Sequence, residues 1–166
     1  MSEGDVRSKR NRRIALLCIA TGILIALLAA GFILYSKGQT KVPLPKELTK
    51  SVDYTVYYPS SLPEDFSYKP GSAQLNQGGL FYQIANSDDQ IIYITEQTVP
   101  TNLAMIKSLS GFSPFSVAIG EASLGTQNGV SAAIITTKKT LITINGTQDV
   151  PTSTLAHVAK KLREVN

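Results

Sequence analysis

Tryptophan is absent from this 166-residue chain, and cysteine and histidine occur once each, as Cys18 and His157. One cysteine excludes a disulfide framework within the chain and any cysteine-based zinc finger. One histidine excludes a His-rich metal site and leaves no Ser-His-Asp arrangement that the sequence can point to. Charge is sparse too: 17% of residues are Asp, Glu, Lys or Arg, against 43% hydrophobic. A disordered polymer has the opposite balance. Gly120-Glu121-Ala122-Ser123-Leu124-Gly125 lacks the glycine spacing of a dinucleotide fingerprint, and no lysine-containing phosphate loop occurs. No cofactor, metal or catalytic residue is expected from these patterns, and the chain is read as a non-enzyme.

What charge there is lies unevenly. Arg7, Lys9, Arg10, Arg12 and Arg13 against Glu3 and Asp5 leave the first 13 residues at +3, three of the four net charges of the chain. The body is nearly neutral. A nucleic-acid footprint should spread over a folded face, so nucleic acid is not an expected partner. The basic cluster instead abuts Ile14 to Tyr35, 22 residues without a charge. As a helix this run would be about 33 Å long, enough to cross a hydrocarbon core. The charge asymmetry predicts a single-pass signal-anchor with a cytoplasmic N-terminus and an extracytoplasmic remainder. The lipid bilayer is then the first partner. Cleavage near Ala29-Ala30-Gly31 is the competing reading and would release the rest as a secreted or structural envelope protein. Gly22, Ala26 and Ala30 recur every fourth residue, a stripe on which two such helices could meet in a weak homodimer. Small residues are also common in apolar segments at large.

Residues 36–51 hold Pro43, Pro45 and four lysines, and read as an extended linker. Residues 52–166 read as one extracytoplasmic domain. Val52 to Tyr58 is β-branched and aromatic, a strand pattern. Leu80 to Ala85 and Ile91 to Gln97 flank the polar Asn86-Ser87-Asp88-Asp89-Gln90 and predict a hairpin. Val130 to Thr137 and Thr140 to Asn145 predict another, after the tight-turn pair Asn128-Gly129. Leu103, Ile106 and Leu109 have helical spacing behind Thr101 and Asn102. Leu155, Val158, Ala159 and Leu162 form the apolar stripe of a final helix. The fold class expected is therefore α+β: an N-terminal transmembrane helix, then an antiparallel sheet with a middle and a C-terminal helix.

Tyr57-Tyr58-Pro59-Ser60-Ser61-Leu62-Pro63-Glu64-Asp65-Phe66 resembles the opening of a domain of unknown function found in bacterial single-pass membrane proteins, some of them anti-sigma-like or sporulation-related. Leu141 to Gly146 with Leu155 to Leu162 is similar to the last strand and final helix of that family. Asp65 stands where the family has glycine, and the tryptophan of the penultimate strand is missing. A 13-residue cytoplasmic tail has no room for a sigma-binding domain. The resemblance implies an extracytoplasmic sensing or interaction module with an envelope protein as partner, and brings no catalytic residues.

His157 is read as an exposed or edge-of-core residue of the last helix. Asp88-Asp89 is read as a turn, because a calcium loop needs further oxygen ligands at alternating positions. Tyr57 and Tyr82 are the candidate partner-binding residues, provided their rings face solvent. The alternative function, an envelope enzyme with a diffuse active site, stays open here because paired carboxylates meet in space, not in sequence.

Overall fold

The computed structural model describes residues 42–101 and 111–165. In chain order these form helix α1 (Lys46–Lys50) and strands β1 (Tyr57–Pro59), β2 (Ser67–Tyr68), β3 (Gln74–Asn76), β4 (Gly79–Ala85) and β5 (Ile91–Thr98). Strands β6 (Phe112–Val117), β7 (Gly120–Gln127), β8 (Val130–Thr136) and β9 (Thr140–Gly146) follow, then helix α2 (Thr152–Lys161) and strand β10 (Leu162–Glu164). Eight strands make one antiparallel sheet in the order β2-β4-β5-β9-β8-β7-β6, with β3 also paired to β4; β1 and β10 make a separate two-stranded ribbon.

Local chemistry sets the hairpins. Between β4 and β5 the Asn86 side-chain oxygen accepts the backbone N–H groups of Asp88 (3.1 Å) and Gln90 (3.0 Å), and Asp89 takes a φ of 59°. This is the Asx-turn geometry that short polar side chains favour. Between β7 and β8, Asn128 and Gly129 have φ values of 53° and 79°, the paired left-handed residues of a turn whose twist matches its strands. At the β8–β9 turn the Thr137 hydroxyl accepts the Thr140 N–H (2.9 Å). Lys138 and Lys139 are left at the exposed tip.

Alternation then sorts the faces. The cross-strand row Leu80, Glu96, Ile142, Ile135, Ala122, Phe115 and the neighbouring row Tyr82, Ile94, Ile144, Ala133, Leu124 point to one side. Helix α2 covers that side with Leu155, Val158 and Ala159, all fully buried. Gly146 lets the helix entry come close: a Cβ there would lie 2.6 Å from Val150 Cβ and 3.3 Å from Leu155 Cδ1. Leu162, also buried, leads the chain out of the helix into β10, where its partner is Pro59 of β1.

The α+β expectation is corrected by this arrangement. The described part is a mostly antiparallel β fold, 47% strand and 13% helix. Four strands outside the expected hairpins, β2, β3, β6 and β7, enlarge the sheet, and α2 is the one helix longer than five residues among those described. The expected middle helix, at Leu103–Leu109, and the expected transmembrane helix, at Ile14–Tyr35, lie outside the described residues. Among the described residues no helix is long and apolar enough to cross a membrane. The stretch read as the end of a linker also differs. Residues from Val42 onward belong to the same unit as the sheet. Leu44 is buried in the core, with Val42 and Leu48 packed against it. Pro45 gives the extended residue from which α1 starts, and Leu44, Leu48 and Thr49 turn inward, which a solvated spacer would not do. Val52–Tyr58 likewise pairs as a strand only from Tyr57; before it, Tyr54 and Val56 are buried in the core and the Val56 carbonyl accepts the Val165 N–H (3.0 Å).

Candidate functional site

Two places in the described residues break the rule that apolar side chains face the helix and polar ones face away. The first is inside the covered face. Glu96 is 0% exposed, between Leu80 and Ile142 in its row. Its Oε2 accepts the Tyr57 N–H at 3.0 Å. Its Oε1 lies 3.4 Å from the Tyr82 hydroxyl oxygen, which lies 3.0 Å from the Tyr57 carbonyl oxygen. The Tyr54 hydroxyl donates to the Glu96 backbone carbonyl (2.8 Å) and accepts the Leu80 N–H (2.9 Å). The Tyr82 and Tyr58 rings stack at a tilt, centroids 5.7 Å apart. The Thr140 hydroxyl donates to the Thr55 carbonyl (2.6 Å), and the Tyr57 hydroxyl donates to Glu164 on β10 (3.4 Å). Every buried side-chain nitrogen and oxygen described finds a partner.

Burial dominates the electrostatics here. It disfavours the carboxylate and pushes Glu96 up to about 8, against the smaller opposing pull of the Tyr57 N–H and the Tyr82 hydroxyl. The same loss of water raises Tyr82 well above its usual 10, with the nearby Glu96 adding to it. Tyr58 is raised to about 12, again chiefly by burial. Tyr54 and Tyr57 are raised for the same first reason.

This placement corrects the reading of Tyr57 and Tyr82 as partner-binding rings. Tyr57 is 4% exposed and Tyr82 1%, so neither presents a surface to solvent. Tyr82 is in phase with Leu80 and Ile84, the core side of β4, and Tyr57 is closed in by β10 and the sheet. They come together, but as internal hydrogen-bonding groups. Glu96 continues the Ile92, Ile94 phase of β5, so its buried neighbourhood is legible in the spacing. His157 is exposed on α2, and Asp88 and Asp89 form the turn described above. Gly22, Ala26, Ala30 and Cys18 lie outside the described residues. No three His, Cys, Asp or Glu side chains converge among the described residues.

The second place is on the opposite face. There the row Phe81, Thr95, Thr143, Ile134, Ser123, Pro114 is mostly polar near the centre of the sheet and apolar toward β6. Tyr93, two residues from Thr95, is 41% exposed, the most exposed large hydrophobic residue described. At β6–β8 an open recess of about 420 Å³ is lined on this face by Phe112, Pro114, Ile134, Ser123, Thr136 and Glu121; Phe115 and Ala122, which belong to the covered row, also border it. Gly125, opposite Phe112, lets β6 approach β7 closely, since a Cβ there would collide with the Gly111 carbonyl. Pro114 lacks an N–H, which suits β6 to the edge of the sheet and blunts it against pairing with another strand. The recess thus offers apolar contact with hydroxyls beside it, a composition suited to holding a side chain.

No protein-family model matches this chain, and no curated protein is significantly similar to it.

Proposed function

We propose that the chain is a single-pass envelope protein whose β domain sits outside the cell membrane and captures or senses a protein partner without catalysing a reaction. The basic tail followed by the uncharged run Ile14–Tyr35 supports the membrane anchor and its direction. The observation that carries the binding role is the recess at β6–β8. Its apolar lining from Phe112, Pro114 and Ile134 lies on the sheet face away from α2, with Ser123 and Thr136 supplying hydrogen-bonding groups. That combination fits a segment of a partner protein that inserts one apolar side chain and bonds through its backbone.

The lone cysteine makes the location easy to test. In intact cells freed of outer layers, Ser123→Cys should be modified by a membrane-impermeant maleimide and Ser8→Cys should not; the reverse pattern would invert the topology. A photo-crosslinking residue at position 134 should then give an adduct that the same residue at Lys160, on α2, does not give. Identical adducts from both positions, or none from 134, would remove the recess as the binding surface.

A further inference from the structure

The hydrogen atoms around Glu96 can be counted. The Tyr82 hydroxyl owns one proton and stands beside two acceptor oxygens, the Tyr57 carbonyl at 3.0 Å and Glu96 Oε1 at 3.4 Å. If Glu96 is ionised, that proton serves only one of them, and a carboxylate with no cation against it among the described residues stays in an apolar row between Leu80 and Ile142. If Glu96 is neutral, each group is served once. Oε1–H donates to the Tyr82 oxygen, Tyr82 donates to the Tyr57 carbonyl, and the Tyr57 N–H donates to Oε2. The ring closes through a single residue of β1. Because Tyr57 belongs to the ribbon and both Tyr82 and Glu96 to the main sheet, this ring fastens one sheet to the other.

We propose that the Glu96 carboxyl works as a proton-dependent latch: in its neutral form it locks the β1–β10 ribbon onto the main sheet, and loss of its proton loosens the ribbon. Ionisation transfers the Oε1 proton to solvent and leaves two acceptors, Glu96 Oε1 and the Tyr57 carbonyl, competing for the one Tyr82 proton. The chain entering the ribbon then keeps the Thr140–Thr55 bond and the ribbon keeps its own ladder, but the closed ring is lost. The other titratable groups facing the site are Tyr54, with Asp53 beside it, Tyr57 and Tyr58 from the chain entering and forming β1, Tyr82 from β4, and Glu164 from β10 by way of the Tyr57 hydroxyl. Burial raises all four tyrosines above their usual range, so they stay neutral through the pH interval in question.

The direction of the pH effect follows from linkage. Folding raises Glu96 from 4.5 to about 8. The folded chain therefore holds a proton that the unfolded chain has already released between those values. The stability tied to this proton is complete below about 4.5 and drains away as pH rises through about 8.

The test compares the full-length protein in mild detergent with Glu96→Gln and Tyr82→Phe, by thermal unfolding and by amide exchange at Tyr57 corrected for its intrinsic rate. The glutamine amide reproduces the neutral acid, donating to Tyr82 and accepting from Tyr57, and cannot ionise. Wild type should lose roughly 5 °C or more of melting temperature from pH 5 to pH 9. Corrected protection at Tyr57 should fall at least about tenfold over the same interval. Glu96→Gln should match wild type at pH 5, melt higher at pH 9 and keep its Tyr57 protection at both. Asp53 and Glu164 are common to the two proteins, so the difference isolates position 96. Tyr82→Phe should already lack the extra Tyr57 protection at pH 5. The latch is overturned if Glu96→Gln keeps the wild-type slope or melts lower than wild type at pH 5. It is equally overturned if the Glu96 carboxyl carbon, followed by NMR in the wild type alone, is ionised at pH 6.

Discussion

The two faces of the sheet are made by the same strands and differ by one residue of phase. On β5 the residues Ile92, Ile94 and Glu96 turn toward α2 and are fully buried, while Tyr93 and Thr95 turn away and keep contact with water. On β8, Ala133 and Ile135 are buried under the helix, while Ile134 between them lines the open recess. Most of each face obeys the expected chemistry, apolar in and polar out. The exceptions teach more: one carboxyl placed where the core should be, and a group of apolar side chains placed where solvent should be. Consistency across levels specifies a fold, and local violations of it are where function and strain concentrate. The covered face uses its violation to join two sheets. The open face uses its own to form a surface.

The sharpest separation of the faces is a matched pair of truncations. Leu155 is 0% exposed and packs beside Val150 and the close approach at Gly146. Leu155→Ala should cost about 3 kcal/mol, the transfer and cavity penalty of a buried leucine. Ile134→Ala removes a similar number of methyl groups from a half-open wall and should cost about 1 kcal/mol or less. Urea unfolding of both variants checks this. Equal losses would show that the face of the recess belongs to the core as much as the helix side does.

Next in size is the internal hydrogen bond. Tyr82→Phe keeps the ring against Tyr58 and removes the hydroxyl that bridges Glu96 and the Tyr57 carbonyl. It leaves two buried oxygens short of a partner, which should lower stability by about 2 kcal/mol at pH 6. Tyr93→Phe, on the exposed side of the next strand, should change it by less than about 0.5 kcal/mol. A loss no larger for Tyr82→Phe than for Tyr93→Phe would mean that water, not Tyr82, satisfies those oxygens.

How far these faces were legible in the sequence depends on how local their causes are. The hairpins β4–β5 and β8–β9 could be read because alternation and turn residues act over a few positions: Asn86 bonds within its own turn, and Thr137 within the turn at Lys138-Lys139. The final helix was readable from Leu155, Val158 and Ala159. Strand β10 was not, since Leu162–Glu164 is three residues with two charges and its partner lies more than a hundred positions earlier. Tyr57 and Tyr82 stand out in the sequence, but the sequence does not show that their rings are buried. An aromatic ring with a hydroxyl suits an interface and a core network equally, and only the third member, Glu96, decides between them. Position 96 lay in the right phase of β5, but a glutamate near a strand end is ordinarily solvated. The recess could not be read at all, because Phe112, Ser123 and Ile134 meet only through the register of three strands.

Function can be separated from stability on the open face alone. Ile134→Asp places a charge in the recess where it still reaches water. It should abolish the adduct given by a photo-crosslinking residue placed at neighbouring position 123, while shifting stability by about 1 kcal/mol at most. The measurement is adduct yield beside a melting curve. An adduct that survives in a normally folded variant would move the binding surface elsewhere, with Tyr93 as the next position to probe.

The smallest effect lies outside both faces, in the turn that leads from the ribbon to the sheet. The Phe66 N–H donates to the Pro63 carbonyl (3.2 Å), and Asp65, third residue of that turn, has a φ of 65°. A turn with a left-handed third residue favours glycine, because a Cβ crowds the following carbonyl there. Asp65→Gly should relieve about 1 kcal/mol of left-handed strain and give back roughly half of it through the greater freedom of glycine in the unfolded chain. The expected net gain is about 0.5 kcal/mol, near 2–3 °C in melting temperature. Since Leu62 and Phe66 pack against the core from either side of the turn, the gain should appear without any change at the recess or in the pH response of Glu96. A loss of stability instead would mean that the Asp65 side chain itself holds the turn.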